Sequence, residues 1–266
     1  MQKSIQILSV TLLIMSLSTP TSADMMDHVD MSGPEMTKSE MTRDQFIAIL
    51  NSPDKKKSKD FSYRALNGLD LSGLDLSNVN FRATNLNKAN FKGSKLNGAT
   101  FDQAWLLNAD LSDTKLVGAK FIQSQMMDIN LDNADLTNTR ITGNLSRASL
   151  KNAILNGADL SADMKNQSMG LMSGNLSSAN LEGADLSNTN LSRAVFEFAN
   201  LTNVRLNNAN LMGAQLDGAT LAKTNVTGAN FDNTDMDSSK ISDLIGSTKD
   251  QFKKAKNCPM KNGESH

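Results

Sequence analysis

The chain has 266 residues, a formal net charge of −1 from 27 basic and 28 acidic side chains, and only 5% aromatic residues. The charge balance leaves no electrostatic footprint for nucleic acid, and the short supply of bulky side chains does not suit an ordinary mixed globular core of this length. The single cysteine, Cys258, excludes an intrachain disulfide.

Taken in chain order, residues 1–23 read as a secretory signal. Lys3 marks a short basic start, Ile5 to Leu17 an apolar core, and Thr21-Ser22-Ala23 a small-residue cleavage site. The apolar run is too short to span a bilayer and no later segment is more apolar, so the expectation is an exported protein, periplasmic or secreted, with no stable membrane insertion. Residues 24–41 follow as a tail rich in Met, Asp and His, and they hold five of the chain's 15 methionines. Thioethers select Cu(I), whereas imidazole and carboxylate suit Cu(II), so Met25, Met26, His28, Met31 and Met36 are candidate ligands for weak copper binding. Two other readings stand beside that one. The segment is equally a disordered polar spacer, or an eroded extra coil, since Met26, Met31, Met36 and Met41 are spaced by five.

In "TRDQFIAILN" (42–51) Thr42 and Gln45 have capping-box spacing, and Phe46, Ile47 and Leu50 recur at helical spacing. A short helix is expected there, folded over whatever follows, with Pro53 and "KKKSK" as a solvated basic loop completing residues 42–60.

From residue 61 to about 245 an apolar residue recurs every five positions, as in Leu66, Leu71, Leu76, Phe81 and Leu86. A small residue sits two places before most of these centres, Asp or Asn one place before, and Gly or Asn often two places after. Five matches neither the helical period nor the strand period; a fixed repeat this short implies a solenoid whose units bury their apolar side by stacking. These residues resemble the pentapeptide-repeat family, whose unit is A-(D/N)-L-x-x. The resemblance implies an all-β fold, a right-handed quadrilateral β-helix with four units to a coil. Phe81, Phe101 and Phe121, twenty apart with Ile141 next, agree with four sides, and the length allows about nine coils at roughly 4.8 Å each. Gly68, Gly73, Gly98 and their counterparts fall where tight corners need positive φ.

The register slips twice. Leu145 comes one residue early after Ile141, and "SADMKNQSMGLMSGN" (161–175) reads as eleven residues where ten belong, with Leu171 and Leu176 restoring the phase. A squeezed corner and a bulge explain both; the alternative is a loop that presents Met164, Met169 and Met172. Trp105, Leu107, Met127 and Ile122, with Val117, point outward and read either as a partner-binding patch or as scattered surface hydrophobes.

Thr248 and Gln251 repeat the capping-box spacing, so a second capping helix is expected over 246–256, followed by a disordered tail, 257–266. In the family the C-terminal end often mediates dimers, which makes a homodimer through that end, with Cys258 as a possible cross-link, an implication of the resemblance. Catalysis is not expected, because His28 and His266 lie in the tails and Asp and Ser recur only as the repeat uses them. Relatives that act on DNA gyrase present a rod with DNA-like negative charge. This chain departs from them in its near neutrality, with Lys88, Lys92, Arg140 and Arg193 interspersed, and in its export signal. The expected function is a non-catalytic binding or scaffold module for a protein partner in the cell envelope; the alternative is copper handling by the tail.

Overall fold

The computed structural model describes residues 33–54, 59–162, 172–248 and 250–259. From Asp60 onward the residue before each centre pairs in parallel with the residue twenty positions on, except across two slips, as in Asp60 with Asn80, Ala65 with Asn85, Asp70 with Asn90 and Asp75 with Lys95. Four pentapeptides therefore complete one coil and define four walls, here named A to D after the centres Phe61, Leu66, Leu71 and Leu76. Coils begin at Phe61, Phe81, Phe101, Phe121, Ile141, Leu160, Leu191, Leu211 and Phe231.

Each residue type in the unit has a physical task. The centres are buried, and the small residue two places earlier faces the same narrow interior. Where that residue is Thr or Ser, its hydroxyl can donate to a backbone carbonyl, as Thr84 does to Phe61, Ser124 to Phe101, Thr224 to Leu201 and Thr234 to Leu211. These four escape the cost of an unpaired buried hydroxyl, whereas the buried Ser94 hydroxyl finds no partner among the described residues. The Asp or Asn before the centre accepts from the amide two residues on, as Asp70 does from Ser72 at 3.1 Å and Asn175 from Ser177 at 3.0 Å, closing an Asx-turn at the start of the corner. Away from the two slips, at Gly143 and Ala162, the position two after the centre has positive φ whatever its type: Gly98 at 66°, Asn138 at 57°, Phe198 at 57°. At Gly98 a Cβ would lie 2.5 Å from the Asn78 side-chain oxygen, so a larger residue there would have to displace that amide as well as take up the positive φ that glycine adopts most readily.

Wall A carries the aromatic column. Phe81 and Phe101 stack at 5.1 Å, and Phe101 and Phe121 at 4.8 Å, while Phe91 of wall C meets both Phe81 and Phe101 edge-on. Burial of each such ring or Leu contributes about 1.5–3 kcal/mol, and the repeat supplies one per five residues.

The first slip is a squeezed corner. Strands β1 (Lys120–Gln125) and β2 (Arg140–Asn144) pair in parallel, but between Ile122↔Thr142 and Gln125↔Asn144 two residues oppose one. The single residue is Gly143, where a Cβ would sit 2.6 Å from the Ser124 carbonyl oxygen. The second slip differs from the expectation. Asn144 pairs with Asn175, thirty-one positions on, and Leu176 follows Leu160 as the next wall. The insertion thus adds eleven residues within one unit, not one residue across two units, so Leu171 is not a coil centre. Met164 and Met169 lie outside the described residues, and Met172 is half-buried.

Two further expectations are corrected. Residues 33–41 are not a disordered tail. A short helix α1 (Pro34–Thr37) leads to Ser39, which bridges Leu66 antiparallel, and the Glu40 amide donates to the Ala65 carbonyl at 2.8 Å. The helical turn at Met36 also excludes an eroded coil there. At the other end, residues 250–255 form successive turns closed by three-residue bonds, Lys253 to Asp250 and Ala255 to Phe252, instead of a helix over 246–256. A two-strand pairing of β3 (Thr220–Ala222) with β4 (Lys240–Ser242) lies just before them on wall C. Helix α2 (Arg43–Leu50) does form, with both bonds of its capping box: Gln45 N–H to Thr42 Oγ1 at 3.3 Å and Thr42 N–H to Gln45 Oε1 at 2.8 Å.

Candidate functional site

The interior offers no room for chemistry: every inward position of the described coils is filled by a core side chain or a small residue. Among the described coils the side chains available to solvent are those of the walls. On wall B, Trp105 takes the position before a centre, and it pairs with Asn85 on one side and Gln125 on the other. Leu107 and Met127 follow their centres one coil apart; the Asn108 amide donates to the Met127 carbonyl at 3.1 Å, which fixes the two side chains in one column. Ile122 lies round the corner on wall A, its amide donating to Asp102 at 3.0 Å. The structure therefore places Trp105, Leu107 and Met127 together on one wall and Ile122 on the next, and all four are half-buried.

The most exposed apolar side chains are different ones, which the sequence reading passed over. Tyr63 is 72% and Phe198 69% exposed, and both are corner residues with positive φ. A bulky residue in that region carries about 1–2 kcal/mol of strain. Phe198 is accommodated by Gly218 one coil on, where a Cβ would meet its ring at 2.5 Å. The sequence carries a signal for them, since both occupy the corner position two after a centre, which along the whole repeat is most often Gly or Asn.

The carboxylates are engaged in the fold. Hydrogen bonds from Ser62, Ser72 and Ser77 hold Asp60, Asp70 and Asp75 below the usual carboxylate range. Burial works against Asp185, yet bonds from Ser187 and Arg205 still lower it. Asp217 is pushed up by burial, with Asp235 and Asp237 adding repulsion. Ion pairs run from coil to coil, as Arg147 to Asp128 at 2.6 Å and Arg205 to Asp185 at 3.1 Å. A shallow depression of about 540 Å³ is lined by Ser173, Arg193, Val195, Met212 and Gln215, beside the point where the insertion returns.

Of the candidate copper ligands, Met25, Met26, His28 and Met31 lie outside the described residues, as does His266. Met36 lies on α1, where its backbone carbonyl accepts from Asn87 at 3.4 Å. Among the described residues no group of three or more His, Cys, Asp or Glu side chains is placed to hold a metal ion. Cys258 is buried at the end of the core, so a cross-link between copies requires it to be uncovered first.

The family model for pentapeptide repeats matches in 8 copies over residues 65–103, 94–133, 106–143, 144–162, 175–213 and 209–243, together more than half of the chain. The chain belongs to the pentapeptide-repeat family. Its matched copies break between 162 and 175, at the insertion. Solved structures similar to this pentapeptide-repeat protein include HetL, involved in heterocyst differentiation regulation in the cyanobacterium Nostoc. It is 25% identical, with 72% of this chain and 86% of that one covered and a TM-score of 0.37. QnrB1, a plasmid-mediated fluoroquinolone resistance protein, is 20% identical over 59% of this chain and 84% of its own, with a TM-score of 0.38. A pentapeptide repeat protein from the thylakoid lumen of Arabidopsis thaliana is 27% identical over 54% of this chain and 68% of its own, with a TM-score of 0.22. No curated protein matches the chain. No described helix is long and apolar enough to cross a membrane.

Proposed function

We propose that this pentapeptide-repeat protein is an exported, non-catalytic binding or scaffold module whose β-helix holds wall side chains in fixed register for a protein partner in the cell envelope. The observation that carries the reading is the division of labour in the unit. Apolar and small residues fill the interior, Asp and Asn close the corners, and the remaining outward positions are free to vary. Trp105, Leu107 and Met127 use that freedom to build an apolar band on wall B, with Ile122 at its margin, and aromatic side chains are favoured anchors at interfaces. Export rests on the residue types of 1–23. The reading also takes α2 as a cap: Phe46 is fully buried and stacks on Phe61 at 4.0 Å, continuing the column of wall A beyond the first coil.

The test is enrichment of envelope proteins on mature chain beginning at Asp24, repeated with Trp105→Ala. A partner lost on that substitution and retained with an exposed polar control such as Lys151→Ala supports the reading; identical enrichment by both contradicts it. Copper handling by Met25, Met26, His28, Met31 and Met36 rests on ligand chemistry alone. Deleting residues 24–32 separates the two, because it removes four of the five ligands and leaves residues 33–41 docked on the first coils.

A further inference from the structure

Within the β-helix every coil presents the same two acceptors per wall to the coil before it, the carbonyls on either side of the centre. On wall C the Leu71 amide donates to Asn90 and the Gly73 amide to Lys92, and the pattern repeats along the molecule. The first coil has no preceding coil, and an open strand edge of this kind pairs readily with another chain. Here each wall is met by a different substitute. On wall C the Arg43 guanidinium donates to the Asp70 carbonyl at 2.6 Å and to the Ser72 carbonyl at 3.0 Å, taking the place of two backbone amides, and it also pairs with the Asp70 carboxylate at 3.2 Å. On wall D Lys59 Nζ donates to the Ser77 carbonyl at 2.9 Å. On wall B the Glu40 amide donates to Ala65, and its carboxylate pairs with Arg64 at 2.8 Å. On wall A the Phe46 ring stands where a preceding centre would stand.

At the opposite end, strand β4 on wall C pairs inward with β3, and among the described residues nothing pairs with its outer side. By the register of the repeat, the Ile241 and Asp243 amides are the equivalents of the Leu71 and Gly73 amides, and so point outward along the stack. Lys240 stands in the same column as Asp70. The two ends are therefore complementary in bonding, donors against acceptors, and in charge, lysine against aspartate.

We infer that the first coil is a latent self-association surface, kept shut by residues 33–54 together with Lys59, and that the partner it fits is the C-terminal edge of a second copy of this chain. The inference depends on α2 acting as a cap and is independent of what the walls bind. Withdrawal of the strap frees the Asp70 and Ser72 carbonyls to accept from Ile241 and Asp243 of the next copy. Lys240 then lies beside Asp70, and the β-helix continues across the junction. The contact is head-to-tail and does not close on itself, so it generates linear series.

Sedimentation velocity on the full mature chain across a wide range of concentration tests this. The unaltered chain is expected to keep one sedimentation coefficient. The chain lacking residues 33–54 is expected to raise its weight-average mass at least about twofold as concentration rises. Adding Ile241→Pro to the shortened chain returns it to one species, because proline removes the outward amide while an edge strand tolerates it. A shortened chain with the native far-ultraviolet circular dichroism that stays monomeric overturns the inference, and so does assembly that survives Ile241→Pro. If the shortened chain does not fold, a protease site replacing residues 55–58, cut after folding, supplies the strap-free molecule, and the same two outcomes decide. Binding of a wall partner is unaffected by Ile241→Pro, so failure here is distinct from failure of the binding reading.

Discussion

The two ends of the molecule carry near-copies of one sequence, "TRDQFIAILN" at 42–51 and "TKDQFKKAKN" at 248–257, yet only the first is helical. Both put a phenylalanine on the aromatic column: Phe46 on Phe61 at 4.0 Å, and Phe252 on Phe231 at 4.7 Å. They diverge in the residues that follow. After Phe46, Ile49 and Leu50 pack against the core and stabilise a helix lying on the first coil. After Phe252 come Lys253, Lys254 and Lys256, which have no apolar face to bury, and the backbone returns to the repeat instead. The Lys256 amide donates to Thr234 at 2.7 Å, and the Gln251 side chain donates to the Val226 and Ala229 carbonyls at 2.6 and 2.9 Å. A capping box starts a helix only where the next turn has a surface to cover.

That contrast can be broken most strongly at the aromatic residues. Phe46→Ala, at a fully buried site, is expected to lower unfolding free energy by roughly 3–5 kcal/mol in urea titration. Phe252→Ala, at the less enclosed end, is expected to cost about 2 kcal/mol; equal losses would place both ends in the same packing environment. The caps come next. Thr42→Ala removes a hydroxyl that accepts from Gln45 and should cost about 1 kcal/mol. Thr248→Ala should stay within about 0.5 kcal/mol, because the bond described to Thr248 from the Gln251 amide goes to its backbone carbonyl.

Acid titration sharpens the comparison further. Near the first coil, Asp60, Asp70 and Asp75 have folded-state pKa values below the unfolded value, chiefly through their serine hydrogen bonds. They contribute stability that is fully present above the unfolded pKa, about 3.9, and is lost as pH falls through the folded values. Asp217, toward the other end, is shifted up by burial, so its charged form opposes folding at neutral pH and protonation relieves that cost. The urea midpoint should fall below about pH 4, and the fall should be shallower in the triple variant Ser62→Ala, Ser72→Ala, Ser77→Ala. The smallest effect expected is a slight stabilisation by Asp217→Asn at pH 7 that disappears on acidification; destabilisation at pH 7 would show that the carboxylate has a favourable partner.

Much of this architecture was legible because the unit is short and strict. The buried centres, the small neighbours, the positive-φ corners and the four walls all follow from a period of five together with phenylalanines twenty apart. The eleven-residue insertion was not legible from that period. A loss of one and a gain of eleven shift the chain by ten, which restores a five-residue phase and moves the chain two walls round the coil. Only the column records it: Phe121, Ile141, Leu160, Leu191, Leu211 and Phe231 lie in line. The strap at 33–41 was missed because it docks through an antiparallel bridge and single side-chain bonds, which leave no periodic trace, while its methionine spacing suggested a coil. At 248–251 local capping chemistry predicts a helix, but that chemistry carries no information about the surface the helix would need to cover. On the walls, counting in twenties puts Leu107 and Met127 in one column beside Trp105, which is the wall they share in the structure. Tyr63 and Phe198 are single departures from a corner position that across the four walls favours Gly and Asn, and the five-residue period does not mark them.

The measurement that bears most directly on this account is residue-resolved amide exchange at the first coil. With the first coil closed by Glu40, Arg43, Phe46 and Lys59, the amides of Leu66, Gly68, Leu71 and Gly73 should be protected as well as those of Leu106 and Asn108 deep in the stack. They donate to the second coil and exchange when the first coil frays, so they should lose that protection in the chain lacking residues 33–54. Protection of those four amides that is unchanged by removal of residues 33–54 would contradict the claim that the N-terminal segment substitutes for a missing coil.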